Sequence, residues 1–352
     1  MHLSKLSVSH FRNINQAEIN LAPTTNVIVG NNGSGKTSLL ETIYYLGHAK
    51  SFRTPHSTQI INFQANEFVI YGELEHGQSI GIKRSRSEQQ IKIAKQLCQK
   101  KLELVKELPI QIINPDVHKI LEDSPRHRRR FLDWGVFHVE HTYWEYWSRY
   151  QNILKQRNAA LKQQWDKNLI FSWNEDLLKT VASISKIKQS YVNALREELE
   201  QLPHGFTGLE IEYQQGWPES QTYENSLERS WAGDRKTGFT KYGPHRSDLK
   251  ISVEGMAAKD VVSRGQQKYL ACILKIAQVN LFYKAMEYSP VFLVDDLFSE
   301  LDRKFAQSVI ELLLNSKSQL VITAIEPKLV KAAIPLAMKM FHVEHGEFQE
   351  VI

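Results

Sequence analysis

The chain has 352 residues, 42% of them hydrophobic and 24% charged, which gives it the length for a sizeable core and two domains and excludes a long disordered protein. Its first residues alternate apolar and polar side chains, and no apolar run approaches the roughly 20 residues of a membrane span, so we expect a cytoplasmic protein with no membrane contact. The net charge of +5 is mild, and two distant cysteines, Cys98 and Cys272, indicate neither a disulfide framework nor a zinc site.

The first predicted elements are strands. Within residues 3 to 29, LSKLSVSHF and INQAEINL alternate apolar and polar side chains, and TNVIVG is typical of a central strand that runs into a glycine turn. Apolar residues at helical spacing predict a helix from Lys36, with Gly47 as its stop. Arg12 is a candidate contact to nucleotide or DNA, and a solvated surface arginine is an equally good interpretation.

A complete P-loop joins this strand to this helix. Residues 30 to 37 read GNNGSGKT and fit G-x-x-x-x-G-K-[ST] in full. Its glycines let backbone N–H groups curl around phosphate oxygens, Lys36 is the catalytic residue that reaches the β and γ phosphates, and the Thr37 hydroxyl binds Mg²⁺. The segment therefore predicts ATP and Mg²⁺ as cofactors. The nucleotide contacts predicted here are Gly30, Asn31, Asn32, Gly33, Ser34, Gly35, Lys36, Thr37 and Ser38.

Residues 67 to 94 alternate around His76-Gly77-Gln78, which predicts an antiparallel hairpin or meander. The segment from Gly81 to Lys106 contains eight basic residues and only two acidic ones, so positive charge is concentrated there. Further along, Gln111 in PIQIINPD is positioned like the Q-loop glutamine of ABC-type ATPases, which would make it a metal ligand and a catalytic residue. A polar residue on an ordinary strand is the alternative.

From about Ser124 to Leu202 long helical segments rich in aromatics predict a second, mainly helical lobe, and Trp144 and Trp147 are expected in its core. The run from Arg126 to Arg130 carries four arginines just before this lobe. It is a candidate DNA contact, because guanidinium groups neutralise phosphates. An ion-pair network with Asp123 and Asp133 is the open alternative.

The second half of the chain supplies the acidic residues that a P-loop needs. The apolar strand VFLV ends in Asp295 and Asp296; we expect Asp295 to hold Mg²⁺ and Asp296 to orient the attacking water. A helix from Ser263 to Met286 precedes this strand, and a helix after Asp302 and the strand SQLVITAI follow it. Thr323, at the end of that last strand, occupies the place of the switch histidine of transporters.

The order of these motifs resembles ABC-type ATPases. Ser263-Arg264-Gly265-Gln266 resembles the signature motif, and Ser299-Glu300-Leu301-Asp302 resembles the D-loop. In such ATPases the signature of one subunit closes over the nucleotide held by the P-loop of another. The resemblance therefore implies an ATP-dependent homodimer in which Ser263, as a further catalytic residue, with Gly265 and Gln266, contacts the nucleotide of the partner.

The predicted fold is an α/β ATPase head of the ABC/SMC type, with a mixed parallel sheet, an antiparallel subdomain and an inserted, mainly helical lobe. Both ends of the chain build the head. The predicted boundaries are residues 1–120 for the N-terminal part of the head, 121–240 for the lobe and 241–352 for the C-terminal part of the head.

End to end, the chain resembles the RecF family of recombination and repair ATPases, in the SMC-like branch. The segments that carry the resemblance are FRN at 11–13, the P-loop with LLE, NPD at 114–116, RRRFLD at 128–133, GPHRSDL at 243–249, the signature and LVDDLFSELD at 293–302. Family membership implies binding to duplex and gapped DNA, cooperation with RecO and RecR to load RecA on single-stranded gaps, and a role in the SOS response.

Two residues depart from the family pattern: Ser247 stands where an aspartate is expected, and Arg264 where the signature more often has glutamine. Asp296 is also shorter than the glutamate that transporters carry there, which predicts slow ATP hydrolysis that acts as a dimerisation switch. The family resemblance implies that DNA stimulates this hydrolysis. Two alternatives remain open at this point. One is the nucleotide-binding subunit of a membrane transporter, and the other is a clamp that binds ATP without needing to hydrolyse it.

Overall fold

The computed structural model describes residues 2–122, 124–327, 330 and 338–351. The chain divides into two compact units. Residues 1–117 and 268–352 form the unit called here the head, and residues 118–267 form the unit called here the lobe. The sequence placed the lobe at 121–240, so the second division falls later in the chain than expected, and Ser263 to Gln266 belong to the lobe.

An antiparallel sheet forms one layer of the head, in the order β2-β1-β4-β5-β6-β7. Its alternation of buried and exposed side chains follows the sequence pattern, and the turn between β4 and β5 lies at the predicted His76-Gly77. The predicted hairpin is therefore confirmed. The strands are β1 (Leu3–Phe11), β2 (Ile14–Asn20), β4 (Glu67–Leu74), β5 (Ser79–Ser85), β6 (Gln89–Ile93) and β7 (Gln96–Leu97).

A second sheet of the head has the order β15-β14-β3-β13-β12-β8 and is parallel except for β15. β3 is buried along its whole length and lies between β13 and β14, which explains why it reads as a continuous apolar run. Strands from both ends of the chain thus share one sheet, as predicted. They are β3 (Thr25–Val29), β8 (Ile110–Ile113), β12 (Val291–Val294), β13 (Gln319–Ala324), β14 (Met338–Glu344) and β15 (Glu347–Glu350).

Helix α1 (Lys36–His48) packs its apolar face into the core of the head, against the inner face of the antiparallel sheet. Gly47, predicted as its stop, lies inside the helix. A Cβ there would come within 2.6 Å of the Leu108 carbonyl oxygen, so this glycine allows close packing. The helix ends at Ala49, which adopts the left-handed conformation. Further helices of the head, in the part of the chain that the structure describes, include α2 (Lys101–Glu107), α11 (Leu297–Glu300) and α12 (Arg303–Asn315).

The lobe is mainly helical, as predicted, with a small antiparallel sheet of order β11-β10-β9. Its long helices present apolar stripes to one another, but Trp144 is 39% exposed and Trp147 is only half-buried, so the prediction that both lie in the core was wrong. The elements are α3 (Lys119–Glu122), α4 (Pro125–Val139), α5 (Tyr143–Lys162), α6 (Lys167–Phe171), α7 (Asn174–Gln201), β9 (Leu209–Gln214), α8 (Tyr223–Thr237), β10 (Asp248–Val253), β11 (Met256–Ala257) and α9 (Ala258–Val261).

Helix α10 (Arg264–Met286) begins in the lobe and continues into the head. It confirms the helix predicted from Ser263 to Met286. In the part of the chain that the structure describes, no helix combines the length and the apolar character that crossing a membrane requires.

Candidate nucleotide-binding site

The P-loop connects β3 to α1 in a shape that only glycine permits at two positions. Gly35 has φ +123°, a conformation that side chains with a Cβ rarely adopt. At Gly30 a Cβ would come within 2.4 Å of the Val343 carbonyl oxygen, so the loop could not approach β14 with any other residue. The predicted glycine-rich turn between strand and helix is therefore present.

The turn between β14 and β15 packs on this loop. The Gly346 N–H donates to the Ser34 carbonyl oxygen at 2.8 Å. The Ser34 hydroxyl is buried and has no hydrogen-bond partner among the residues that the structure describes. A buried hydroxyl in a loop of this kind is a donor suited to a phosphate oxygen, since burial without a partner is costly.

Lys36 is buried, and its Nζ donates to two carbonyl oxygens of the loop, those of Gly30 at 2.8 Å and Asn31 at 3.0 Å. Burial lowers the pKa of this lysine, while the carboxylates of Asp296 and Asp295 act in the opposite direction. The Lys36 amine is thus held in the loop, beside Asp295 and Asp296, the acidic residues predicted to act together with the P-loop.

Thr37 and Asp295 meet as predicted. The Thr37 hydroxyl donates to Asp295 Oδ1 at 3.0 Å, which joins the start of α1 to the end of β12. Burial raises the pKa of Asp295, and the hydrogen bonds from Thr323 and Thr37 oppose that shift. A carboxylate and a hydroxyl so placed fit Mg²⁺, which usually takes one or two protein oxygens and completes its octahedron with water and phosphate.

Thr323 contributes more than the sequence indicated. Its hydroxyl donates to Asp295 Oδ1 at 2.9 Å and accepts from the Asp296 N–H at 2.9 Å. Asp296 has φ 52°, a left-handed conformation that is strained for a residue with a side chain. The buried threonine therefore fixes both acidic residues, and no pattern in the sequence pointed to this role.

Arg12 lies at the site and forms a buried ion pair. Its guanidinium donates to both carboxylate oxygens of Glu41, at 3.0 and 2.9 Å, and to the Gln59 carbonyl oxygen at 2.8 Å. Glu41 is fully buried on α1, and Arg53 also approaches it at 3.5 Å. The neighbouring Asn13 accepts from the Ser38 hydroxyl at 2.8 Å and donates to the Gly33 carbonyl oxygen at 3.3 Å. The turn after β1 is thereby attached to the P-loop.

A cavity of about 770 Å³ lies beside these groups in the head, although Asp295, Thr323 and Ser34 are not among its lining residues. Most of the predicted P-loop contacts line it, together with Asp296 and Arg12. Sequence reasoning assigned no nucleotide contact to the other lining residues: Asn13 lies in the FRN segment, and the rest follow no motif. The missed lining residues are Asn13, Arg53, Thr58, Gln59, Ile61, Asn62, Phe63, Ala65 and Arg86.

Gln111 is not among the residues that line the cavity. Its side chain is buried, donates to Gln278 Oε1 at 3.2 Å and accepts from Lys275 Nζ at 2.9 Å. Both partners belong to α10. The geometry thus corrects the assignment of Gln111 as metal ligand and catalytic residue: it is a polar residue on a strand, the alternative that the sequence left open.

The signature motif has a different environment. The Ser263 N–H donates to Gln266 Oε1 at 2.9 Å, and the Gln266 N–H donates to the Ser263 hydroxyl at 3.4 Å, which is a reciprocal cap at the start of α10. Ser263 and Arg264 are exposed, and a Cβ on Gly265 would meet nothing within 4 Å. In the head, Asp302 caps α12 by accepting from the Phe305 N–H at 2.9 Å.

The arginine run lies in the first half of α4, within the lobe, and its members have different roles. Arg128 forms an ion pair with Asp248 at 2.8 Å, and Arg129 donates to the Ser247 carbonyl oxygen at 3.1 Å. Asp133, predicted as an arginine partner, instead accepts from Lys188 at 2.7 Å. Asp123 lies outside the described residues. Arg126 and Arg130 are exposed, so half of the run is used structurally and half is presented to solvent.

Comparison with known proteins adds an independent result. The chain matches the family described as RecF/RecN/SMC N terminal domain over residues 2–349. It is 35% identical over 362 residues to the DNA replication and repair protein RecF of Vibrio cholerae, with 99% of this chain and 100% of that protein covered. The same-named protein of Proteus mirabilis is 37% identical, with 99% of each covered.

Solved structures show the same fold. The recombination mediator protein RecF-ATP in RecFOR pathway superposes with a TM-score of 0.86 at 24% identity, covering 100% of this chain and 98% of that one. The SmcHead bound to the C-winged helix domain of ScpA gives 0.60 at 13% identity, covering 100% and 97%. At these identities the likeness concerns the fold alone. The predicted fold class is therefore confirmed.

Proposed function

The chain belongs to the RecF group of the RecF/RecN/SMC N-terminal domain family, and we propose that it is an ATP-dependent DNA-binding protein of replication and recombinational repair. ATP brings two copies together, and the dimer holds duplex or gapped DNA. The relatives named above are DNA replication and repair proteins, which supports this placement over the transporter-subunit alternative.

Each residue of the site has a part in ATP binding and hydrolysis. Lys36, the loop N–H groups and the N-terminus of α1 hold the phosphates, and Thr37 with Asp295 would hold Mg²⁺, which neutralises charge that develops on phosphate oxygens. Asp296 lines the cavity and is the candidate that orients the attacking water. Its side chain is shorter than the glutamate that transporters carry at this place, which supports slow turnover.

The exposure of the signature motif is the main observation in support of an ATP-dependent dimer. A capped helix start with a solvent-exposed serine, an exposed arginine and an open glycine offers a hydroxyl, N–H groups and a helix dipole to a phosphate. We propose that Ser263, Gly265 and Gln266 contact the γ-phosphate held by a second copy, and that slow hydrolysis releases the two subunits.

DNA binding is supported by exposed positive charge. Between Gly81 and Lys106 most of the basic side chains are exposed, and Arg126 and Arg130 add to them on the lobe. A structural relative is described as a mediator in the RecFOR pathway. We therefore propose RecO and RecR as partners and the loading of RecA on single-stranded gaps as the outcome, in the cytoplasm and with a role in the SOS response.

The proposal is tested by measuring oligomeric state and DNA binding on the same samples. Sedimentation and DNA titration, with and without Mg²⁺-ATP, compare the wild type with Lys36→Met and Ser263→Arg. We expect ATP to convert the wild type to a dimer that binds gapped duplex, with an affinity that falls steeply as salt rises. Lys36→Met should bind no ATP, whereas Ser263→Arg should bind ATP and remain a monomer.

Two results would contradict the proposal. A Ser263→Arg variant that still dimerises with ATP would show that the signature does not complete a partner's site. An Asp296→Asn variant that binds ATP, binds DNA and supports RecA loading at the wild-type rate would favour the clamp alternative, in which hydrolysis has no function.

A further inference from the structure

Phe63 is a cavity residue to which the proposed phosphate and metal contacts assign no role. Phe63 lines the cavity and is 88% exposed, more than any other large hydrophobic residue that the structure describes. A phenyl ring is among the largest apolar side chains, and a ring left in water beside a ligand cavity forfeits the free energy that burial would give. Such a ring is typical of a surface that a ligand covers.

The backbone holds this ring in a defined place. Phe63 and Gln64 are the central residues of a turn that the Ala65 N–H closes on the Asn62 carbonyl oxygen at 2.9 Å. The buried side chain of Asn62 accepts from the Gln64 N–H at 2.9 Å and donates to Asn15 at 2.9 Å. A ring on a turn with these restraints loses little conformational entropy when a ligand stacks on it.

The turn is tied to the P-loop through the end of β1. The Asn62 N–H donates to the His10 carbonyl oxygen at 2.9 Å, and the Arg12 N–H donates to the Ile60 carbonyl oxygen at 2.7 Å. Asn13, the next residue, contacts Gly33 and Ser38 of the P-loop. The phosphate cradle and the aromatic turn thus flank the same short segment. A nucleoside triphosphate has phosphates at one end and a base at the other, so it offers one group to the cradle and one to the turn.

We propose that Phe63 is the platform on which the base of the bound nucleotide stacks. This inference rests on the proposed function, in which the P-loop holds the triphosphate. Ile61, which has an apolar side chain, and Arg86, which has a planar guanidinium group, also line the cavity. Stacking reads the π face that every base has, so the platform contributes to affinity for purine nucleotides in general and does not distinguish adenine from guanine.

Equilibrium titrations by calorimetry with ATP, GTP and inorganic tripolyphosphate, each with Mg²⁺, test the platform in the full-length chain. Phe63→Ala should weaken ATP and GTP alike by about tenfold, equivalent to ~1.4 kcal/mol, and leave tripolyphosphate unchanged. Phe63→Trp should retain affinity, and its fluorescence should be quenched when ATP binds. Phe239→Ala, at a phenylalanine of the lobe that is 53% exposed, is the matched control and should change none of the three.

The outcomes separate this inference from the proposed function. Unchanged ATP affinity in Phe63→Ala, or an equal loss of tripolyphosphate, overturns the platform while ATP binding by the P-loop stands. A loss for ATP without one for GTP shows hydrogen-bond recognition of adenine and also overturns stacking. If the wild type binds neither ATP nor tripolyphosphate, or if Lys36→Met binds both normally, the proposed P-loop site fails and the platform with it.

Discussion

The P-loop and the signature motif both place a glycine at the start of a helix, but the P-loop is enclosed by neighbouring segments and the signature is exposed. Lys36 is buried, and the loop around it is supported by Asn13, β14 and the Gly346 turn. Ser263 and Arg264 are exposed, and Gly265 faces open space. The P-loop is thus enclosed and supported within the head, whereas the signature is exposed on the lobe, where the proposed dimer would bring a partner's phosphate.

The largest expected effect comes from removing a buried support of the enclosed site. Glu41→Ala leaves the Arg12 guanidinium, which is mostly buried, without its carboxylate partner. Breaking a buried pair from one side is strongly destabilising, so we expect the free energy of unfolding to fall by about 3 kcal/mol, measured by urea denaturation.

Glu175→Ala is the matched control, because Glu175 forms an exposed ion pair with Lys179 one helical turn away. Its unfolding midpoint should equal that of the wild type, since exposed pairs contribute little. If both variants lose the same free energy of unfolding, the buried ion pair at the P-loop site contributes no more to stability than an exposed pair does.

Two glycines give the most direct test of the comparison. Gly30→Ala places a Cβ against the Val343 carbonyl oxygen and must displace the loop, so ATP affinity should fall by about 100-fold. Gly265→Ala meets open space, so the monomer should bind ATP normally and gain up to ~1 kcal/mol of helix stability. Titration and thermal melts of both variants measure this.

The ATP-dependent dimer distinguishes the two changes further. Gly265→Ala should weaken it, because the new methyl group stands where a partner's phosphate is expected to approach. If Gly265→Ala dimerises like the wild type, or if Gly30→Ala binds ATP normally, the proposed difference between the enclosed P-loop and the exposed signature is contradicted.

Thr323→Val should lower the hydrolysis rate about tenfold with little change in ATP affinity. Valine keeps the shape of the side chain but loses the hydrogen bonds that fix Asp295 and the Asp296 N–H. Because the lost hydrogen bond also held down the pKa of Asp295, the acid limb of the pH–rate profile should move to higher pH. Single-turnover assays across pH measure both effects.

Thr180→Val in α7 is the control, since that buried hydroxyl donates at 2.7 Å to the Asp176 carbonyl oxygen, within the lobe. It should leave the rate and the profile unchanged. A Thr323→Val variant with normal turnover would mean that the acidic pair is held sufficiently by its backbone.

The two units should also differ in their response to acid. Burial lowers the pKa of His138 to about 3 and that of His245 to about 4, both in the lobe. The unfolded chain therefore binds more protons than the folded lobe below pH 6.5, so the free energy of unfolding of the lobe should fall as the pH falls from 6.5 towards 4.

In the head, the shift at Asp295 has the opposite sign. Burial raises its pKa, so the folded head binds the proton more readily and acid does not destabilise it through this group. Hydrogen exchange at pH 7 and pH 5 should show earlier opening of the lobe, and His138→Phe should reduce the slope. Equal acid sensitivity of both units would contradict this difference.

Much of the head could be predicted because its strands and helices carry strong periodic patterns. The run of β3, the P-loop and the stripe of α1 are adjacent in sequence, so local reasoning was sufficient. The meeting of Thr37 with Asp295 was also predictable, since a P-loop needs an acidic residue at the end of a neighbouring parallel strand.

What failed depends on tertiary contacts that no local pattern encodes. Gln111 was assigned from its place in the motif order, but its side chain faces α10, where Gln278 and Lys275 satisfy it. Gly47 was taken for a helix stop because glycine commonly is one, whereas the approach of Leu108 requires it. Phe63 lies in a segment without motif or periodicity, and only the folded cavity singles it out.

The position of β3 in its sheet has a consequence for the order of synthesis. Val29, the residue before the P-loop, pairs with Ala324 on one side and His342 on the other, and Gly346 then contacts the loop itself. A chain still emerging from the ribosome carries GNNGSGKT from an early stage but lacks the strands that shape it. We therefore expect a chain that ends before Gly346 to carry the motif without a completed phosphate cradle, and to bind ATP poorly.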